Sequence, residues 1–161
     1  RNFNRMKKTI LFFIFLLLNF GGLYLGGILM GSSPGSNTWY TNLQQAPWTP
    51  PGYVFGIAWT IIMILYSIYC AKAFSSRLPK KTVALFVLQW ILNVAWNPVF
   101  FNFHFVFLGL VLLLLLFITL LILNKNLGYQ LRSSTTFLII PYLIWLCIAF
   151  SLNVYIFIMN V

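Results

Sequence analysis

The chain has no aspartate and no glutamate anywhere in its 161 residues. That absence excludes paired-carboxylate hydrolysis, aspartyl nucleophiles and carboxylate-ligated metals. It also excludes a proton relay built on buried acids, the usual mark of a coupled pump. Histidine and cysteine are nearly as scarce, with one and two copies. Cys70 and Cys147 fall in different apolar segments, and with a single His104 they make no metal-site spacing. A buried free thiol packs as a small hydrophobe. His104 stands at a loop edge, where packing roles outnumber haem ligation. No nucleophile–base pair is visible, so nothing points to a classical enzyme, to a metal or to a resident cofactor.

Charge is also sparse. Only 6% of the residues are charged, all of them Lys or Arg, whereas 61% are hydrophobic. A water-soluble domain carries roughly 25% charged residues, so this composition is that of an integral membrane protein. The net charge of +10 raises the question of nucleic acid. Placement answers it: Arg1, Arg5, Lys7 and Lys8 precede the first apolar run. Lys72, Arg77, Lys80 and Lys81 surround one connection, and Lys125 and Arg132 bracket another. The connections 31–50 and 97–104 carry none. Alternating basic and neutral loops follow the positive-inside bias, not a nucleic-acid patch.

The expected architecture is an all-α membrane protein, a bundle of five transmembrane helices. A basic N-terminal tail, residues 1–8, precedes a five-span domain, residues 9–161. Span one, Thr9 to Met30, is about 22 residues, enough to cross a ~30 Å hydrocarbon layer. It exceeds a usual signal-peptide apolar region and lacks an Ala-x-Ala cleavage pattern. Gly22 and Gly26, like Gly27 and Gly31, form Gly-x-x-x-Gly, which suits close helix packing within the monomer. Span two starts near Pro50 and Pro51, because proline is tolerated at a helix start and not inside. Spans three, four and five are expected at about 82–101, 105–123 and 135–159, with a connection beginning at Pro98 and a kink or local loosening at Pro141. The N-terminus and basic loops lie on the cytoplasmic side, and the Trp39–Thr49 loop and the C-terminus opposite. The lack of an Arg/Ser-rich leader leans the expectation toward a bacterial inner membrane.

What the chain has in quantity is aromatic residues. Tyr40, Trp48, Phe55, Trp59, Trp96 and Trp145 come from separate segments. Phe55, Trp59, Ile62 and Tyr66 share one helix face by i, i+4, i+7, i+11 spacing. Gln89, Asn93, Trp96 and Asn97 fall on one side of span three, and amides in hydrocarbon should face the bundle interior. Trp145, Ala149 and Leu152 share a face of span five, with Asn153 close to it. Interfacial tryptophans are commonly membrane anchors, a role that suits Trp39 and Trp90 best. The others would form a wall for a large, flat, apolar ligand, lidded by the 39–49 loop.

Three blocks carry a family resemblance. One runs from Trp39-Tyr40 through Pro47-Trp48-Thr49-Pro50-Pro51 to Phe55-Gly56 and Trp59. The second holds Gln89, Leu92-Asn93-Val94-Ala95-Trp96 and Pro98-Val99-Phe100-Phe101. The third is Pro141-Tyr142-Leu143-Ile144-Trp145 with Ala149 and Leu152-Asn153. With these blocks in order the chain resembles the translocator protein / tryptophan-rich sensory protein family. The resemblance implies a receptor or sensor that binds tetrapyrroles such as protoporphyrin IX and other flat lipophilic molecules. Tyr40, Pro50, Pro51, Phe55, Asn93, Trp96, Asn97 and Ala149 would line its pocket. Trp59 and Trp145 match the tryptophans implicated in light-dependent porphyrin breakdown.

Two departures limit the transfer. Many relatives carry an acidic residue in span four, where this chain has Leu114. The animal sterol motif needs a basic residue after a tyrosine near the C-terminus, and none follows Tyr155. The alternative function is a transporter of porphyrins or other lipophilic molecules. It would need alternating access, for which the chain offers neither repeats nor buried charges. Family members form homodimers, but no residue here marks such an interface.

Overall fold

A computed structural model describes residues 2–161; Arg1, counted above with the leading basic residues, lies outside them. The chain folds as α1 (Asn2–Met30), α2 (Thr38–Asn42), α3 (Gly52–Phe74), α4 (Lys80–Asn97), α5 (Val106–Asn126) and α6 (Ile140–Asn160). A π-helical turn, Pro98–Asn102, prolongs α4, and a 3₁₀ turn, Thr136–Leu138, precedes α6. Five of these helices are long and apolar enough to cross a membrane. α5, with 21 residues, rises about 32 Å, which matches the hydrocarbon thickness.

The five long helices form a ring. α1 packs on α3 and α4, α5 lies between α4 and α6, and α6 closes back on α3 by the slightest contact of the set. Lys7 donates from Nζ to the Ser75 carbonyl at 3.0 Å, so the start of α1 lies beside the basic α3–α4 turn. At the opposite end Asn160, the last residue of α6, bonds the backbone of Gln44 in the neutral loop. Basic and neutral connections are therefore segregated to opposite ends, as the loop charges require.

Three local expectations are corrected. Arg5, Lys7 and Lys8, ahead of span one, are helical, because Lys and Arg continue a helix readily. The connection 39–49 contains α2, whose N-cap Asn37 accepts from the Tyr40 amide at 2.9 Å. Pro98 opens a π-helical turn and no loop: proline cannot donate and crowds the carbonyl four residues back, and the wider turn relieves this. The Asn97 side chain donates to the Asn93 carbonyl at 3.1 Å within the same disturbed stretch. Pro141 marks a local loosening of the fifth span: the 3₁₀ turn Thr136–Leu138 gives way to α6 just before it, and Pro141 sits in the first turn of that helix.

Trp39 and Trp90 are half-buried and both make packing contacts. Trp39 stacks on His104 at 4.0 Å. Trp90 crosses onto α1 and donates from Nε1 to the Leu18 carbonyl at 2.9 Å. Gly22 admits it: a Cβ there would lie 2.6 Å from Trp90 Nε1. One helical turn on, a Cβ at Gly26 would lie 2.6 Å from Asn97 Nδ2. The first Gly-x-x-x-Gly thus packs inside the monomer, as expected. Gly22→Ala should therefore cost about 1–3 kcal/mol of stability by displacing the indole. Gly21→Ala, with nothing within 4 Å, should be neutral or gain up to about 1 kcal/mol. Thermal unfolding in one detergent compares the two; equal midpoints would mean that the Trp90 contact contributes nothing.

Candidate functional site

At the neutral end the helices turn their aromatic residues inward. α3 supplies Phe55 and Trp59, α4 supplies Asn93 and Trp96, and α6 supplies Tyr142, Trp145, Ala149 and Asn153. Residues spaced by three or four positions stack on one helix face, which is why each set arrives together. Trp96 and Trp145 are each only 7% exposed, and Ala149 and Asn93 are buried. Phe55 meets Trp145 edge to face at 5.3 Å, and Trp59 meets Tyr142 in the same way at 5.8 Å. These two pairs close the seam between α3 and α6. Across the interior Trp96 stacks on Phe100 at 5.6 Å. Edge-to-face and offset pairs of this kind contribute about 0.5–1.5 kcal/mol each beyond burial.

The 31–51 connection covers this cluster. Gly31, at φ 84°, ends α1 in the left-handed conformation glycine tolerates. Asn37, besides capping α2, donates from Nδ2 to the Phe101 carbonyl at 3.2 Å. Tyr40 is thereby set edge-on against Phe100 and Phe101, at 6.1 and 5.2 Å. Burial raises its phenol pKa above the ordinary value, so it stays neutral at physiological pH. Trp48 lies on the outside, 55% exposed, donating from Nε1 to Ser151 Oγ at 3.1 Å and edging against Tyr155. Pro50 is half-buried and Pro51 exposed, immediately before α3.

One side chain, that of Asn160, latches the far end of this cover to the backbone of Gln44. The Gln44 amide donates to Asn160 Oδ1 at 2.8 Å, and Asn160 Nδ2 donates to the Gln44 carbonyl at 3.1 Å. Asn160→Ala removes both bonds, each worth about 0.5–1.5 kcal/mol. Exchange of the backbone amide hydrogens in the 39–49 connection should then quicken by about tenfold with the fold intact. Hydrogen–deuterium exchange reads this rate; an unchanged rate would mean that Asn160 does not hold the connection in place.

Hydrogen bonding within the cluster is incomplete. Trp96 Nε1 and Asn153 Nδ2 are buried and have no partner among the described residues. Both approach Phe100: Trp96 stacks on it, and a Cβ at Gly109 would meet Phe100 Cδ2 at 3.2 Å and Asn153 Nδ2 at 3.4 Å. A buried donor without an acceptor costs about 1–3 kcal/mol, so two beside the same ring call for an explanation.

Besides the outward-lying Trp48 and the exposed Pro51, two more of the expected site residues sit away from the cluster. Asn97 is half-buried and faces Gly26 of α1. Gln89 lies nearer the basic end, donates from Nε2 to Tyr142 Oη at 2.7 Å, and borders a separate cavity between α1, α3 and α4. His104, the haem-ligand alternative, has its ring against Trp39. No group of three or more metal-ligating side chains occurs among the described residues. Sequence reasoning missed Tyr142 as the hub joining Trp59 to Gln89, although it lies one turn before Trp145. It also missed Asn160, whose partner is 116 residues away and leaves no local signal.

Comparison with known proteins agrees with this geometry. The TspO/MBR family profile matches residues 9–159. The chain is 32% identical over 150 residues to the tryptophan-rich protein TspO of Bacillus cereus, covering 92% of this chain and 94% of that protein. It is 27% identical over 159 residues to the Archaeoglobus fulgidus protein of the same name, covering 98% and 99%. To the human translocator protein it is 30% identical over 132 residues, covering 71% and 70%.

Proposed function

Starting from the fact that the chain belongs to the TspO/MBR family of membrane proteins, we propose that it is a receptor or sensor for flat lipophilic ligands of the tetrapyrrole class. What supports this above all is the pair of unpartnered buried donors, Trp96 Nε1 and Asn153 Nδ2, set among inward-turned aromatic rings. A ligand presenting acceptor atoms to them would offset a desolvation penalty that the free protein carries. The rings supply stacking area at low entropic cost. Entry parts the Phe55–Trp145 and Trp59–Tyr142 pairs at the α3–α6 seam, the weakest closure of the ring.

No Lys or Arg lies in the neutral loop, so carboxylate tails on a porphyrin gain no ion pair there and belong toward water. The macrocycle would lie among Trp59, Trp96 and Trp145. Bound there, a porphyrin supplies light absorption, and the indoles of Trp59 and Trp145 are the oxidisable groups held beside it. The chain contributes position and exclusion of water more than acid–base catalysis.

Titration with protoporphyrin IX tests both parts. Tryptophan fluorescence should be quenched saturably in the wild type. The Trp59→Phe/Trp145→Phe variant should lose most light-dependent porphyrin loss. Equal quenching and equal photolysis in both proteins would remove these residues from the mechanism. The absence of saturable quenching in the wild type would remove the tetrapyrrole assignment.

A further inference from the structure

The basic end of the bundle carries positive charge that no side chain of the protein neutralises, since Asp and Glu are absent. Lys7 is held against the Ser75 carbonyl. Lys8 and Lys80 are exposed. Each heads a helix face: Lys8 is followed at helical spacing by Phe15 and Leu18, and Lys80 by Val83, Val87 and Trp90. The two faces belong together. α1 and α4 pack with Gly22 against Trp90 and Gly26 against Asn97. Carried back toward the basic end, that register sets Lys8 beside the first turn of α4, where Lys80 stands.

All five of the residues that follow these lysines line one cavity of ≈ 440 Å³ between α1, α3 and α4. It reaches down to Phe74, the last residue of α3, and to Val83, in the first turn of α4. The polar side chains along it bond elsewhere: Asn19 with Ser67 at 2.9 Å, Gln89 with Tyr142 at 2.7 Å, and Trp90 with the Leu18 carbonyl at 2.9 Å. The surface offered to an occupant is therefore apolar. The rim includes Leu18 and Val87, which are 51% and 54% exposed on the outer faces of α1 and α4. The cavity is thus a groove open sideways to the hydrocarbon, with Lys8 and Lys80 at its foot.

The apolar wall by itself selects nothing, because lipid tails in the bilayer are as apolar as the groove. The charge at its foot does select. Two ammonium groups without a protein counter-ion stand at the helix ends, at the level of the headgroups, and basic pockets between helices on the cytoplasmic side hold anionic headgroups. We propose that the groove is a site for an anionic phospholipid, with one acyl chain between α1 and α4 and the phosphate between Lys8 and Lys80. The other chain stays in the bilayer, as the open side permits. A zwitterionic lipid brings its own ammonium, which offsets the attraction of its phosphate to the lysines. The site is independent of the tetrapyrrole assignment, since none of Trp59, Trp96 and Trp145 borders it.

Photoactivatable lipid reads the site directly. Protein in phosphatidylcholine nanodiscs receives rising mole fractions of phosphatidylglycerol with a diazirine in one acyl chain. After irradiation, adducts are mapped by peptide mass spectrometry. The same titration with diazirine-bearing phosphatidylcholine is the reference. Adducts should saturate on the peptides holding Phe15, Leu18, Val83 and Val87. Half-saturation should need about ten- to thirtyfold less phosphatidylglycerol than phosphatidylcholine. Lys8→Gln and Lys80→Gln should each raise the phosphatidylglycerol value about three- to fivefold and leave the phosphatidylcholine value unchanged. Lys125→Gln removes the same charge near the end of α5, which does not border the groove, and should move neither. All three lysines are exposed, so the substitutions leave the packing alone. Equal half-saturation for the two lipids would overturn the proposal. So would an effect of Lys125→Gln as large as that of Lys80→Gln, which would mean diffuse attraction to the basic surface. Groove peptides unlabelled by either lipid would overturn it too, leaving the groove empty or covered by a second copy of the chain.

Discussion

Asn153→Leu should raise the stability of the ligand-free protein by about 1–2 kcal/mol and weaken protoporphyrin IX binding by about tenfold or more. The substitution keeps the branched four-atom side-chain shape with somewhat bulkier methyl groups, and removes a buried amide nitrogen that has no partner among the described residues. Asn153 is 3% exposed, so water does not solvate it freely, and its desolvation cost of about 1–3 kcal/mol is uncompensated until a ligand acceptor arrives. Opposite changes in stability and affinity are the signature of a polar group kept for binding. Thermal unfolding in detergent and a porphyrin titration measure the two quantities. A destabilised variant with unchanged affinity would show that the amide is bonded within the native fold and has no ligand role.

Tyr142→Ala should cost about 3–5 kcal/mol, the largest stability loss expected from a single residue here. Tyr142 is fully buried, its ring packs edge to face on Trp59 and Tyr66, and its hydroxyl accepts from Gln89 at 2.7 Å. Tyr142→Phe separates the contributions: it keeps the ring and leaves the Gln89 amide without its acceptor. About 1 kcal/mol is expected, because interhelical hydrogen bonds in membranes average roughly 0.6 kcal/mol. The alanine variant also removes the partition between the aromatic cluster and the α1/α3/α4 cavity. Equal midpoints for the two variants would place the whole effect in the hydrogen bond and none in the packing.

Much of the architecture was legible because a bilayer imposes few solutions. A run of about 20 apolar residues without charge must satisfy its backbone internally, so each became a helix. Loop charge then determined which connections share an end. Faces were legible too: the i, i+4, i+7 spacing of Phe55, Trp59 and Ile62 and the spacing of Trp145 and Ala149 turn these residues into the bundle. Proline was read less well. Pro98 and Pro141 both lack an N–H, yet one widens a helix to a π turn and the other merely begins one. Which happens depends on whether a neighbouring carbonyl is left without a donor, and that is settled by the surrounding backbone.

Composition and spacing by themselves determined the membrane environment, the five spans, their relative orientation and the inward aromatic stripes, because these follow from local periodicity and from charge position. Only the tertiary structure decided that Gln89 belongs with Tyr142 beside the α1/α3/α4 cavity, that Asn160 holds Gln44, and that Trp96 and Asn153 keep unmatched hydrogens. Partners separated by 53 or 116 residues meet only when helices choose their rotation and neighbours. A hydrogen bond left unmade has no sequence pattern, since it is defined by what fails to arrive.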